Sequence, residues 1–186
     1  MEWLEFKKRR LALLEKDKRI DVGILPLLRC INSFEEFCTS SSCAGRITLL
    51  SILSSKKDAE IYAKWHEPPS FEEFVEKLSS YRGRKPLWFR CEPFILHVFA
   101  RDFESALNFM RICRRAGIKR GGIQFSREFA FIEIEGTHGF ALPVKGGGKQ
   151  LVSKGYLRLI VNEANKNLVK NALQIMRLEG ELESVK

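Results

Sequence analysis

The sequence predicts an α+β protein: a mixed β-sheet with flanking helices, and not a Rossmann fold. Three observations predict it. Strand-like runs come in groups, 46–53 with 59–66 and then 123–125, 129–134 and 140–144, instead of alternating one for one with helices. The C-terminal stretch carries Leu157, Val161, Ala164, Leu168, Ala172 and Ile175 at spacings of four, three, four, four and three, the signature of one apolar helix face. No G-x-G-x-x-G follows any strand pattern, so the dinucleotide-binding turn of a doubly wound sheet is missing. The 186 residues contain no repeat and no long linker, and a single domain over 1–186 is expected, long enough to bury a core.

Each element follows from local chemistry. Residues 1–19 read as a helix, with Trp3, Phe6, Leu11 and Leu14 around a basic run, Lys7 to Arg10. Asp21 is placed to cap a second helix over 24–31, whose Pro26 suits a first turn. A hydroxyl-rich loop follows. The strands 46–53 and 59–66 should form a hairpin through Ser54-Ser55-Lys56-Lys57-Asp58. Pro68-Pro69-Ser70 stops the chain and caps a helix over 71–81, where Phe71, Phe74, Val75 and Leu78 share a face. A basic turn, Arg82-Gly83-Arg84-Lys85-Pro86, leads to one long strand pattern over 87–100, interrupted at Pro93, where a ladder hydrogen bond must be missing. A helix over 103–116 ends at Gly117, a C-cap residue, and the last helix spans 156–178.

Composition narrows the function classes. An apolar share of 45% with 30% charged residues is that of a soluble globular protein. The balance of 32 Lys+Arg against 23 Asp+Glu leaves +9, which favours a polyanionic partner, nucleic acid first. No apolar run approaches the ~18 residues that span a bilayer, and the start lacks a signal-peptide pattern, so a cytoplasmic location is expected. Five cysteines without a C-x-x-C pair and three scattered histidines predict reduced thiols and no metal site.

The candidate site residues cluster in a few short stretches. Thr39 to Arg46 packs hydroxyls, a thiol, a glycine and an arginine between apolar runs; its amides and hydroxyls can hold a carboxylate, a ribose or a phosphate, with Arg46 as a bidentate clamp. A polar connection whose serines satisfy their own backbone is the alternative. Cys43 beside Arg46 can be a nucleophile, although packing is the commoner use of such a residue. Trp65-His66 joins a stacking surface to a group that titrates near neutrality; a half-buried aromatic beside a solvent-facing histidine is the bland reading. Glu92 lies in an apolar run and needs a partner, either an arginine or a ligand, and a bulge at Pro93 would bring it to the same side as His97, itself otherwise a satisfied core histidine.

Arg111, Arg114, Arg115, Lys119, Arg120 and Arg127 occur without an intervening acid and, with Arg82, Arg84 and Lys85, make the best phosphate-binding surface. A solvated helix face is the alternative for such a run. Lys145-Gly146-Gly147-Gly148-Lys149 lacks the P-loop pattern and reads as a mobile loop. Asn165 and Lys166 sit mid-helix, where asparagine is kept for a contact or simply faces solvent.

Taken in order, SSCAGR at 41–46, WH at 65–66, EPFILH at 92–97, the GGI turn at 121–123 and ANK at 164–166 resemble the wybutosine-synthesis methyltransferase family over nearly the whole chain. Gly121 and Ala44 depart from it where serine is usual. The resemblance implies transfer of a methyl group from S-adenosylmethionine to the N4 ring nitrogen of 4-demethylwyosine, next to the anticodon of phenylalanine tRNA, by a protein without a Rossmann sheet. It does not assign catalytic roles; residue chemistry does. His66 or Glu92 is the candidate general base, Trp65 stacks the tricyclic base, and Ser41, Ser42, Gly45 and His97 shape the cofactor pocket. Arg46, Arg114, Arg115, Lys119, Arg120 and Lys166 contact the tRNA. The rival readings are a non-catalytic basic tRNA- or RNA-binding module and a hydrolase using Cys43 and His97.

Overall fold

The structure, a computed structural model, describes residues 2–16, 20–53, 56–125 and 128–186. In chain order the first elements are α1 (Trp3–Lys16), α2 (Leu25–Asn32), β1 (Phe37–Thr39), β2 (Arg46–Ser51), β3 (Glu60–Trp65), α3 (Phe71–Ser80), β4 (Leu87–Glu92) and β5 (Ile95–Ala100). Then follow α4 (Phe103–Arg115), β6 (Arg120–Phe125), β7 (Ala130–Glu135), β8 (Phe140–Gly146), β9 (Lys149–Gln150) and α5 (Lys154–Glu183). The expected helices and the β2–β3 hairpin are all present; residues 17–19 of the first helical pattern, Ser54 and Ser55 of the hairpin connection, and Arg127 lie outside the described residues.

The strands form two sheets, ordered β1-β5-β7-β6 and β3-β2-β4-β8-β9, and every described pairing is antiparallel. The α+β class holds and no parallel doubly wound sheet exists among the described strands; the strands expected in one mixed sheet divide between two antiparallel ones. The division happens at Pro93. The pattern over 87–100 is not one strand: β4 ends at Glu92 in the five-stranded sheet, and β5 starts at Ile95 in the four-stranded sheet. Proline has no N–H to continue a ladder, so the chain leaves one sheet there and enters the other.

The chain accordingly divides into two compact units. Unit 1 comprises Met1–Ala44, Phe94–Thr137 and Asn171–Lys186; unit 2 comprises Gly45–Pro93 and His138–Lys170. In unit 1 the inner face of the four-stranded sheet (Leu96, Val98, Ala100, Ile132, Ile134) packs on α2, α4 and the C-terminal part of α5 through Leu27, Ile31, Phe109, Cys113, Ile175 and Leu178. The basic helix α1 seals the other side through Trp3, Phe6 and Leu11 against Phe99 and Phe129. Two of its cations serve that packing: Lys7 Nζ donates to the Phe34 carbonyl, and the Arg10 guanidinium lies 4.8 Å from the Phe99 ring centroid. In unit 2, Ile47, Leu49, Phe89, Cys91 and Val144 of the five-stranded sheet bury against Phe71, Phe74 and Leu78 of α3 and Leu157, Val161, Ala164 and Leu168 of α5. The apolar period read across the last helix therefore supplies two cores.

Termini and turns follow the local sequence. Asp21 Oδ1 accepts the Gly23 N–H to cap a short 3₁₀ turn, Val22–Ile24, that runs into α2 with Pro26 in its first turn. Ser70 caps α3 by accepting the Glu73 N–H, and Asp102 caps α4 at Ser105. Gly117 leaves α4 with a φ of +81°, the left-handed conformation glycine adopts without a Cβ penalty. The Lys145–Lys149 stretch, read as a loop, is a tight hairpin: Gly146 pairs with Lys149, and Gly147 and Gly148 form its corner at φ +57° and +78°. Lys145 Nζ reaches the Leu78 and Tyr81 carbonyls at 2.7 and 3.1 Å, satisfying the C-terminal end of α3.

Candidate active site

The serine loop, 39–46, is held at several points within unit 1. Asn32 grips Thr39 twice, its Oδ1 accepting the Thr39 N–H at 2.8 Å and its Nδ2 donating to Thr39 Oγ1 at 2.9 Å. The Ser40 N–H donates to the His97 carbonyl and Cys43 exchanges both backbone hydrogen bonds with Ile95, each at 2.9 Å. Asp21 Oδ2 accepts the Ala44 N–H at 2.9 Å, so the residue that caps the 3₁₀ turn also ties down the far end of the loop. Ser42 Oγ accepts the His97 N–H at 3.3 Å and lies at the same distance from the Ser40 carbonyl. The amides of Ser40, Cys43 and Ala44 are thus committed to protein, while those of Ser41 and Ser42 make no hydrogen bond among the described residues. Ser41 is exposed and Ser42 half-buried. The chain enters unit 2 at Gly45, buried with a φ of +101°, where an L side chain would strain the backbone.

His97, named with this loop, sits on β5 with its ring beside Phe131 and its Nε2 3.1 Å from Glu133 Oε2. Its side chain is 24% exposed. Neither the regular strand nor the bulge considered for Glu92 and His97 occurs, because the two belong to different sheets and different units.

In unit 2 the acid in the apolar run has found its arginine. Arg46 and Glu92 are opposite each other on β2 and β4; Arg46 Nε donates to Glu92 Oε2 at 2.5 Å, and Arg90 Nη1 lies 3.3 Å from Oε1. Both carboxylate oxygens are therefore committed. Trp65 ends β3 half-buried, its ring 5.7 Å from that of Phe74 and its Nε1 donating to Glu73 Oε1 at 2.6 Å; His66 follows it, also half-buried. Glu73 was legible only as the N3 acid of a capping box with Ser70, yet its carboxylate goes to the indole instead.

The remaining predicted contacts are on exposed surfaces. Arg114, Arg115, Lys119 and Arg120 lie exposed at the C-terminal end of α4 and the start of β6. Arg115 Nε is paired with Glu181 Oε2 at 2.9 Å, and Arg120 is 3.9 Å from Glu135. Lys166 is 63% exposed and paired with Glu163 one turn away, whose carboxyl it holds below the usual range. Asn165 is kept for a contact: its Nδ2 donates to the Pro69 carbonyl at 3.0 Å. No cysteine forms a disulfide, and burial pushes the Cys38 and Cys91 thiols up to about 11. A cavity of about 760 Å³ in unit 1, lined by Leu11, Leu14, Leu25 and Leu28 with Asn32 and Thr39 among its polar residues, meets the serine loop only at Thr39.

Residues 3–184 match the family model described as Methyltransferase TYW3. A protein from Archaeoglobus fulgidus, named tRNA(Phe) 7-((3-amino-3-carboxypropyl)-4-demethylwyosine(37)-N(4))-methyltransferase, is 35% identical over 100% of this chain and 95% of its own length. A Thermococcus kodakarensis protein named for the same reaction is 33% identical over 92% of the chain and 87% of its own. The solved PH1069 protein from Pyrococcus horikoshii superposes with a TM-score of 0.91 at 31% identity, covering 97% of this chain and 96% of that one. With the match running across both units and nearly end to end, the chain belongs to the TYW3 methyltransferase family.

Proposed function

We propose that this chain is a tRNA N-methyltransferase that methylates the N4 ring nitrogen of 4-demethylwyosine beside the anticodon of phenylalanine tRNA, with S-adenosylmethionine as donor. The observation that carries the reading is the end-to-end likeness to proteins named for that reaction, with 95% of the Archaeoglobus protein's length covered. A non-catalytic RNA-binding module is not favoured, because it leaves the anchored serine loop without a purpose. No described helix is long and apolar enough to cross a membrane, and a cytoplasmic location, where tRNA is modified, fits the reading.

The residues suit the donor. The amides and hydroxyls of Ser41 and Ser42, in a loop anchored by Asn32, Asp21 and β5, are the groups to receive a carboxylate or ribose, and Gly45 keeps the backbone bare beside them. S-adenosylmethionine supplies a sulfonium methyl when bound. His66 is the group to accept the proton that the ring nitrogen loses, since the Glu92 carboxylate is held by two arginines. Trp65, its indole pinned by Glu73, offers a fixed face for the tricyclic base, and Arg46, aligned by Glu92, anchors a phosphate. Arg114 and Lys119 contact the tRNA backbone, with Arg115, Arg120 and Lys166 lesser contributors because each already has an acid.

The test is transfer of labelled methyl from S-adenosylmethionine to phenylalanine tRNA taken from a strain that stops at the demethylated base. Label in the tRNA is expected. Salt-sensitive binding without label would leave only the RNA-binding module.

A further inference from the structure

We infer that the solvent-facing side of the five-stranded sheet in unit 2 is a second RNA contact, taking an unstacked base on Trp88 and its neighbouring phosphodiester between Lys64 and Arg90. The inference rests on the tRNA reading above and extends it to residues with no role there.

The register defines the surface. The inner face of this sheet is closed by Ile47, Leu49, Phe89, Cys91 and Val144 against α3 and α5, so the alternate residues point the other way. Across it, Lys64, Thr48, Arg90 and Ala141 form one row, and Ile61, Leu50, Trp88 and Pro143 the next. Lys64, Ile61, Ala141 and Pro143 are exposed, Arg90 is 42% exposed and Trp88 half-buried. The face is thus exposed along β3 and β8 and closed at β2, where Thr48 and Leu50 are buried, and it sets an indole in an apolar row beside a row bearing two cations. The basic turn at 82–86 leads directly into β4, placing exposed Arg84 and Lys85 just upstream of Trp88.

Charge decides the occupant. Lys64 and Arg90, with Arg46 at the end of β2, face one carboxylate, Glu92, which two of the three arginine and lysine side chains already share. An excess of positive charge next to an aromatic plane is what single-stranded nucleic acid requires: phosphates take the cations and a base takes the ring. An acidic peptide would use the cations but has no need of the indole.

A second observation points to an anion at the same place. Thr48, between Lys64 and Arg90, is 1% exposed, and its hydroxyl has no hydrogen-bond partner among the described residues. A buried hydroxyl left unpaired is costly. A phosphate oxygen drawn down between the two cations would accept its proton.

The experiment measures binding of a fluorescently labelled anticodon stem–loop RNA by anisotropy over a salt series, with the full chain. Trp88→Ala should weaken binding about tenfold while Trp88→Phe stays within about twofold. The double variant Lys64→Ala/Arg90→Ala should lower the slope of log K against log salt by about 0.7, the value for one phosphate on a single strand. Thermal melting confirms that each variant folds. Wild-type affinity and slope in all of them would overturn the inference, as would full competition by poly-glutamate with no effect of Trp88→Ala, which would mark a general cationic surface. Loss of methyl transfer by the wild type would instead defeat the functional reading, leaving the binding result to judge this surface separately.

Discussion

Arg46 and Glu92 are cross-strand partners whose ion pair, 2.5 Å from Nε to Oε2, is closed from the other side by Arg90 at 3.3 Å. This carboxylate orients a guanidinium, and the arrangement separates a positioning role from a base. Glu92→Gln should raise KM for tRNA several-fold, leave the acid limb of the pH–rate profile in place and lower stability by about 1 kcal/mol, since the pair is only partly buried. A collapse of kcat with loss of that limb would make Glu92 the base.

His66→Ala tests the proton acceptor. The expected result is a fall in kcat of about 100-fold with KM for tRNA little changed. Unchanged turnover at saturating substrate would remove His66 from the chemistry.

Gly45 bears on the loop's backbone. At a φ of +101°, Gly45→Ala forces an L residue into a left-handed conformation and should cost about 1–2 kcal/mol, read as a lower melting temperature. A melting temperature equal to the wild type would show that the loop relaxes without strain.

His138 sets a pH dependence of stability. Burial, and then the nearby Lys170 charge, lower its pKa below the usual 6.5, so the fold disfavours its protonated form. Its contribution is present above the unfolded-state value and is lost as pH falls through the folded one. Urea midpoints should therefore drop as pH falls below the usual histidine value of 6.5, and His138→Gln should flatten that drop. The same slope in the variant would assign it elsewhere.

The chain path bears on domain number. Neither unit is continuous, and the sequence passes from one to the other at 44/45, 93/94, 137/138 and 170/171. We propose that the 186 residues unfold as one domain: Trp3 in unit 1 and Trp65 and Trp88 in unit 2 should report a single urea midpoint when each set is followed in tryptophan-to-phenylalanine backgrounds. Two separated midpoints would make each unit a domain of its own.

What the sequence determined by itself was local. Capping at Ser70, the Pro26 first turn, the β2–β3 hairpin, the glycine stop after α4 and the period of the last helix all depend on chemistry within a few residues, and all are present; Asp21 caps the 3₁₀ turn before α2 and not the helix itself. So were the motifs that carry the family. Tertiary structure alone decided that Pro93 separates two sheets, that the apolar face of α5 serves two cores, and that Glu92 belongs to Arg46 while His97 belongs to Glu133. Strand periodicity shows which side chains share a face but not which strand comes alongside. That choice comes from pairing and packing between segments far apart in the chain, and with it come the partners of Glu92 and His97.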